Sequence, residues 1–194
     1  MIKLREKITF NSPVILSFTL ICFVVLVLNK ITGDFLNTYL FCVYRFGFTD
    51  VLGYLRLFLY IFGHAGWSHF SGNITMLLIV GPLLEERYGS KKLLLMMAIT
   101  AVITGLIHIS FFPDTALIGA SGIVYMMILL SSITNVEDGK IPMTLLIIAV
   151  VYIGGQIYEG LFIRDNISNL GHIVGGVLGA IMGYLLNRDS HVKL

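Results

Sequence analysis

The sequence predicts an all-α membrane protein, a bundle of six transmembrane helices with both termini on the inner side. Three observations predict it. Apolar residues make up 57% of the 194 and charged residues only 12%, about half of the roughly 25% that a soluble domain carries. Six apolar runs recur along the chain, each near the ~20 residues needed to cross a bilayer. The cations fall unevenly on the connections, which sets an orientation. A net charge of +2 without a basic stripe excludes a nucleic-acid partner. The surroundings implied throughout are a lipid bilayer.

The first run, Pro13–Ile31, follows Lys3, Arg5 and Lys7 as a signal peptide would. No small-residue cleavage site comes after it and further apolar runs do, so it reads as a retained span. Asp34–Gly63 is long for a connection and half apolar, with aromatics from Phe35 to Phe62. It is expected to lie in the membrane interface as a loop, since Arg45, Asp50 and Arg56 interrupt it. The remaining spans are Trp67–Leu84, Leu93–Phe111, Gly119–Val136, Pro142–Tyr158 and Leu170–Leu186. Pro142 opens the fifth where a missing N–H costs nothing. With the N-terminus inside, nine Lys and Arg lie on inner connections and four (Lys30, Arg45, Arg56, Arg164) on outer ones, which predicts N-in, C-in. Residues 1–194 are expected to form a single membrane domain. Cys22, in a span, and Cys42, in a connection, read as small apolar fillers rather than a disulfide.

Polar groups inside spans are expensive and so mark functional candidates. His69 and Asn73, four apart, share one face at the start of span 2. Ser121 opens span 4 between Gly119 and Gly122, and His172 stands at the start of span 6. These three spans all run from outside to inside, so the polar set shares one depth. From Ser121 to Val136 is ~24 Å of helix, against a hydrocarbon core of ~30 Å. Ser121 is therefore expected below the outer surface, and Thr115–Ala120 must descend to it as non-helical backbone. Such backbone is tolerated only against protein or a wet cavity.

Gly171, Gly175, Gly179 and Gly183 recur every fourth residue of span 6, a ridge that lets helix backbones approach closely. Packing spans 4 and 6 along it brings His172 within reach of Ser121. A serine beside an imidazole base is the minimum for nucleophilic catalysis, and helix-start N–H groups with His69 and Asn73 can stabilise an oxyanion. Glu159 and Asp165 are expected in the outer loop, leaving no carboxylate to orient His172. A dyad is predicted rather than a triad.

These residues carry a resemblance. HAGWSHFSGN (His64–Asn73), EERYG (Glu85–Gly89), GASG (Gly119–Gly122) followed by Tyr125, and HIVGGVLG (His172–Gly179) make the chain similar to the rhomboid intramembrane serine proteases. The likeness is to their minimal six-span bacterial form and runs from about Gly53 to Leu186. It implies Ser121 as nucleophile, His172 as general base, and an oxyanion hole of His69, Asn73 and the Ser121 backbone N–H. It implies Tyr125 packed on the His172 ring. His64, Arg56, Glu85, Arg87 and glycines 119, 122, 175 and 179 would be supports. It further implies cleavage of transmembrane protein substrates near the outer ends of their spans, in a bacterial plasma membrane, with no metal or organic cofactor. Leu55-Arg56 departs from the Trp-Arg of many relatives, and Gly171 from their alanine.

Two rivals belong to other classes. One is a catalytically inactive rhomboid-like protein that binds membrane clients. The other is a haem- or metal-binding membrane protein using His64, His69 and His172. Ser131 and Ser132 read simply as serines bonded to carbonyls of the preceding turn, and His108 and His191 receive no role.

Overall fold

The computed structural model describes residues 10–133, 143–162 and 168–191, the stretch 187–191 as backbone alone. Lys3, Arg5, Lys7, Lys140, Pro142, Arg164, Asp165 and Lys193 lie outside the described residues, as do 134–136 at the end of the fourth apolar run. The side chains of Arg188 and His191 lie outside them too.

Among the described residues the regular secondary structure is helical apart from one isolated β-bridge. The elements are α1 (Pro13–Ile31), α2 (Phe35–Tyr39), α3 (Val51–Leu59, prolonged by a 3-10 turn Tyr60–Phe62), α4 (Trp67–Tyr88), α5 (Ser90–Phe111), α6 (Ser121–Ile133), α7 (Met143–Ile148), a π turn Ala149–Gly154, α8 (Gly155–Phe162) and α9 (Asn169–His191). Four segments are long and apolar enough to cross a membrane: Pro13–Ile31, Ser90–Phe111, the rod Met143–Phe162 formed by α7, the π turn and α8, and Asn169–Leu186. Helix α4 has 22 residues, but His69, Asn73, Glu85, Glu86 and Arg87 dilute its apolar character.

Glu85 fastens the end of the bundle where α1 begins and α4 meets α5. Its carboxylate accepts the N–H groups of Val14 (2.9 Å) and Ile15 (3.0 Å) and the Ser90 hydroxyl (2.7 Å). An anion thus satisfies the orphan donors at the start of α1 while tying it to the end of α4 and the start of α5. Only Gly89 separates α4 from α5, at φ +80, a conformation open to glycine at no steric cost. Arg87 is exposed, its guanidinium 6.0 Å from the Tyr88 ring centre.

The segment Asp34–Gly63, expected as a loop, is largely built from α2, α3 and the 3-10 turn. Its organiser is Arg56, which is 4% exposed. Nε and Nη2 of Arg56 donate to the Tyr39 carbonyl at 2.9 and 2.6 Å, and the guanidinium lies 4.5 Å from the Tyr44 ring centre. Asp50 is 3.8 Å away. With Arg56 folded inward, Phe35, Tyr39, Phe48, Tyr54, Leu55 and Phe58 are left on the surface.

Helix α6 is the centre. Nine of its 13 described residues are buried, as suits a helix that is apolar all round. Its most extensive contact is with α9. A Cβ on Gly175 would overlap the Gly122 carbonyl, and one on Gly179 the Met126 carbonyl. The glycine ridge therefore seats backbone directly on backbone, the close approach for which small residues are selected in membrane helices. Cys22 is buried against the Ile61 carbonyl, and neither it nor Cys42 is in a disulfide.

Candidate active site

The backbone that leads into α6 is non-helical from residue 112 to residue 120. Several of its backbone groups bond to protein. Leu117 and Val43 exchange N–H···O bonds of 2.8 and 3.0 Å, and the Gly119 N–H donates to the Tyr60 carbonyl at 3.0 Å. Irregular backbone packed on protein in this way is the kind that a membrane protein tolerates. Gly119 has φ +115, where a side chain is strained, and a Cβ there would fall 2.6 Å from the His69 ring. The same point is 3.6 Å from the Asn73 amide nitrogen. His69 and Asn73, on one face of α4, thus both border the turn just before Ser121. Ser121 is the first residue of α6 and partly buried.

His172 enters from α9. Ser168 caps that helix, its hydroxyl accepting the Gly171 N–H (3.3 Å) and its carbonyl the His172 N–H (3.2 Å). The His172 ring stacks on Tyr125 at 4.5 Å between centres and 3° between planes. Tyr125 follows Ser121 by four residues and shares its face, so the imidazole lies against the serine's side of α6. The Gly171 carbonyl is 3.5 Å from where a Gly122 Cβ would stand. The residue after the serine and the residue before the histidine are in contact.

His64 is fully buried at 0% exposure. The Asn73 amide N–H donates to its Nε2 (3.2 Å), and its Nδ1–H donates to the Phe62 carbonyl (3.3 Å). That pattern fits one neutral tautomer. Burial, and secondarily the neighbouring His69 whose ring centre is 5.1 Å away, push its pKa down to about 4. His64 therefore holds the Asn73 amide, and Asn37 in turn donates to the His64 carbonyl at 2.9 Å.

Four residues at the site went unassigned in the sequence. Glu159 was expected in the outer loop but lies on α8, because the fifth rod runs on to Phe162 instead of ending at Tyr158. Its Oε2 accepts from the Gln156 side chain at 2.9 Å, and the Gln156 carbonyl oxygen accepts from His172 Nδ1. A carboxylate is thus linked to His172 through an amide, against the expectation that none bore on it. A polar glutamine within an apolar run was the available signal. His108 bridges two other elements: Nδ1 meets the Ser168 hydroxyl and Nε2 the Thr115 carbonyl, each at 3.3 Å. It clasps the segment before Ser121 to the cap of the helix bearing His172. Ser131 and Ser132 both donate to the Ile128 carbonyl, at 2.8 and 2.9 Å.

As for the metal reading, His64 and His69 are neighbours, but both ring nitrogens of His64 are engaged as described, and Nδ1 of His172 faces Gln156. Among the described residues no group of three or more His, Cys, Asp or Glu is gathered as a metal site.

Fold and site together define a membrane-embedded helical bundle with polar residues collected where α4, α6 and α9 begin. Residues 52–189 match the family model for the Rhomboid domain, and the chain belongs to the rhomboid family. It is an integral membrane protein. It is similar to Rhomboid-related protein 1 of Caenorhabditis elegans, 30% identical over 139 residues, covering 66% of this chain and 38% of that one. It is similar to the chloroplastic Rhomboid-like protein 11 of Arabidopsis thaliana, 28% identical over 142 residues, covering 66% and 50%. It also resembles the rhomboid protease GlpG of Yersinia pseudotuberculosis, 26% identical over 182 residues, covering 92% and 64%. The chain therefore spans between about two-fifths and two-thirds of the length of these relatives.

Proposed function

We propose that this protein is an intramembrane serine endopeptidase that cleaves transmembrane segments of membrane proteins through a Ser121–His172 dyad. The observation that carries the reading is the seam of α6 and α9, which sets an imidazole stacked on Tyr125 beside the helix that Ser121 opens. Likeness to a protease over 92% of the chain supports it.

A substrate helix unwinds locally at the start of α6. His172 takes the Ser121 hydroxyl proton as the oxygen attacks the scissile carbonyl, and the resulting oxyanion is held by the Ser121 N–H, His69 and Asn73. Collapse of the tetrahedral intermediate breaks the C–N bond. The imidazolium gives its proton to the leaving amine, and the acyl group stays on Ser121. Water deprotonated by His172 then releases the acid and restores the serine. His64 keeps Asn73 aimed, and Gly119 admits His69 to the turn. Gly122, Gly175 and Gly179 close the seam, while Arg56, Glu85 and Arg87 support the frame.

The six-span, N-in/C-in arrangement belongs to the same proposal. It adds α4 and α6 to the four long apolar segments and places 1–194 as one domain in a bacterial plasma membrane, open to the outer face. The charge bias supports the orientation, and the bacterial relative supports the setting.

The test is labelling of purified protein by a fluorophosphonate probe. Wild type is expected to label, and Ser121→Ala and His172→Ala to lose at least about a hundredfold in rate. A folded wild type that stays unlabelled contradicts the reading in favour of a client-binding role.

A further inference from the structure

We propose that Gln156, held by Glu159, is a positioning residue for the catalytic base. Its side-chain carbonyl takes the His172 Nδ1–H and so keeps the lone pair on Nε2, the nitrogen that must receive the Ser121 proton. The inference rests on the dyad reading above and deepens it.

The hydrogen-bond chemistry leaves one arrangement. Glu159 is a carboxylate and can only accept, so the Gln156 NH2 must face it, as the 2.9 Å contact has it. The amide oxygen then faces the imidazole. An amide oxygen can only accept, so Nδ1 must carry the proton. Gln156 is 6% exposed, which shields the pair from competing water. Stacking on Tyr125 fixes the plane of the ring, and the amide fixes its rotation within that plane. Neither constraint suffices alone.

Serine hydrolases with a triad use a carboxylate for this purpose, and it also stabilises the imidazolium. Here the carboxylate is set one group further out. During the reaction His172 gains a proton at Nε2 and later loses it there, while Nδ1–H stays on the amide oxygen. Gln156 neither gains nor loses a proton. Tyr125 from α6 and Gln156 from α8 both meet the ring, with Glu159 behind the amide and Tyr152 against Tyr125, 5.7 Å between ring centres. Residues 156 and 159 share a helix face. They directly follow the π turn that ends at Gly154, a feature common at functional sites.

Gln156→Met tests this, since it keeps length and apolar stem but replaces the amide oxygen with a thioether sulfur, a much weaker acceptor. The full chain in detergent is compared by fluorophosphonate labelling rate, by kcat and KM on a single-span substrate, and by side-chain 15N resonances of His172. Gln156→Met is expected to lower labelling rate and kcat about tenfold or more, with KM within about twofold, and to turn one Nδ1–H tautomer into a mixture. Glu159→Gln should lower kcat by about two- to fivefold. The reciprocal double variant Gln156→Glu/Glu159→Gln should recover most of the wild-type rate, and it decides the matter should Gln156→Met fail to fold. Wild-type kcat and a single tautomer in Gln156→Met, or an inactive but folded double variant, overturn the relay and leave the dyad standing. A wild type that labels no better than Ser121→Ala overturns the dyad and the relay with it.

Discussion

Helix α9 meets α6 on one side and the rod Met143–Phe162 on the other, and the two contacts differ in what touches what. Toward α6, Gly175 and Gly179 lie on the carbonyls of Gly122 and Met126. Toward the rod, the neighbouring Gly176 faces Cδ1 of Ile153, the far end of a flexible side chain. The rod is also the least enclosed of the long apolar segments: 6% of its apolar window is buried, against 33% for α9 and 44% for α5. Contact through backbone cannot yield without moving a helix, whereas contact through side-chain ends yields by rotation. The proposed nucleophile and base are therefore fixed relative to one another by the unyielding seam, and the amide that orients the base arrives on the yielding one.

The largest effect is expected from breaking the first seam. Gly175→Val drives a branched side chain into the Gly122 carbonyl and parts α6 from α9. A loss above the ~1–3 kcal/mol of ordinary overpacking is expected, together with loss of probe labelling. Thermal unfolding in detergent reads the first, and a native melting temperature would mean that the α6–α9 seam yields after all. Next comes Glu85→Ala, which strands the Val14 and Ile15 donors at the start of α1. About 1–3 kcal/mol should be lost, with the labelling rate of the protein that remains folded unchanged, since Glu85 lies at the other end of the bundle.

A smaller effect follows from His64. Its folded pKa of about 4 lies below the ordinary 6.5, so the unfolded chain binds a proton in that interval before the native state does. The contribution of His64 is present in full above pH 6.5 and is lost as the pH falls toward 4. Melting temperatures measured from pH 7.5 to 4.5 should fall more steeply for wild type than for His64→Asn; parallel curves would remove His64 as the cause. The smallest effect belongs to the yielding seam. Gly176→Ala requires only that Ile153 rotate, and less than about 1 kcal/mol should be lost. A loss equal to that of Gly175→Ala would mean that the two contacts do not differ.

Much of this was legible in residue spacing. The four-residue rhythm of Gly171, Gly175, Gly179 and Gly183 announces close backbone approach, and His69 and Asn73 at i, i+4 announce a shared face. Thr115–Ala120 was expected to be irregular from the depth inferred for Ser121, and it is non-helical. Each of these inferences is local, or depends only on span order. What escaped depends on contacts remote in sequence. Nothing near His108 says that Thr115 and Ser168 will meet its two ring nitrogens, the second from 60 residues away. Gln156 and Glu159 were hidden differently. Ending the fifth apolar run at Tyr158 removes Glu159 from its helix, and the π turn before Gly155 changes the face that Gln156 presents, which a 3.6-residue period cannot register. The secondary structure within Asp34–Gly63 was obscured because Arg56, Asp50 and Arg45 break an apolar pattern that Arg56 completes by folding inward.

Proteolysis within the membrane is measured by cleavage of a single-span substrate in proteoliposomes that contain the purified full chain, with product masses read by mass spectrometry. Wild type is expected to give two fragments, cut at a bond near the outer end of the substrate's transmembrane segment, that are absent with Ser121→Ala. Intact substrate with folded wild type, or equal cleavage by Ser121→Ala, would contradict it.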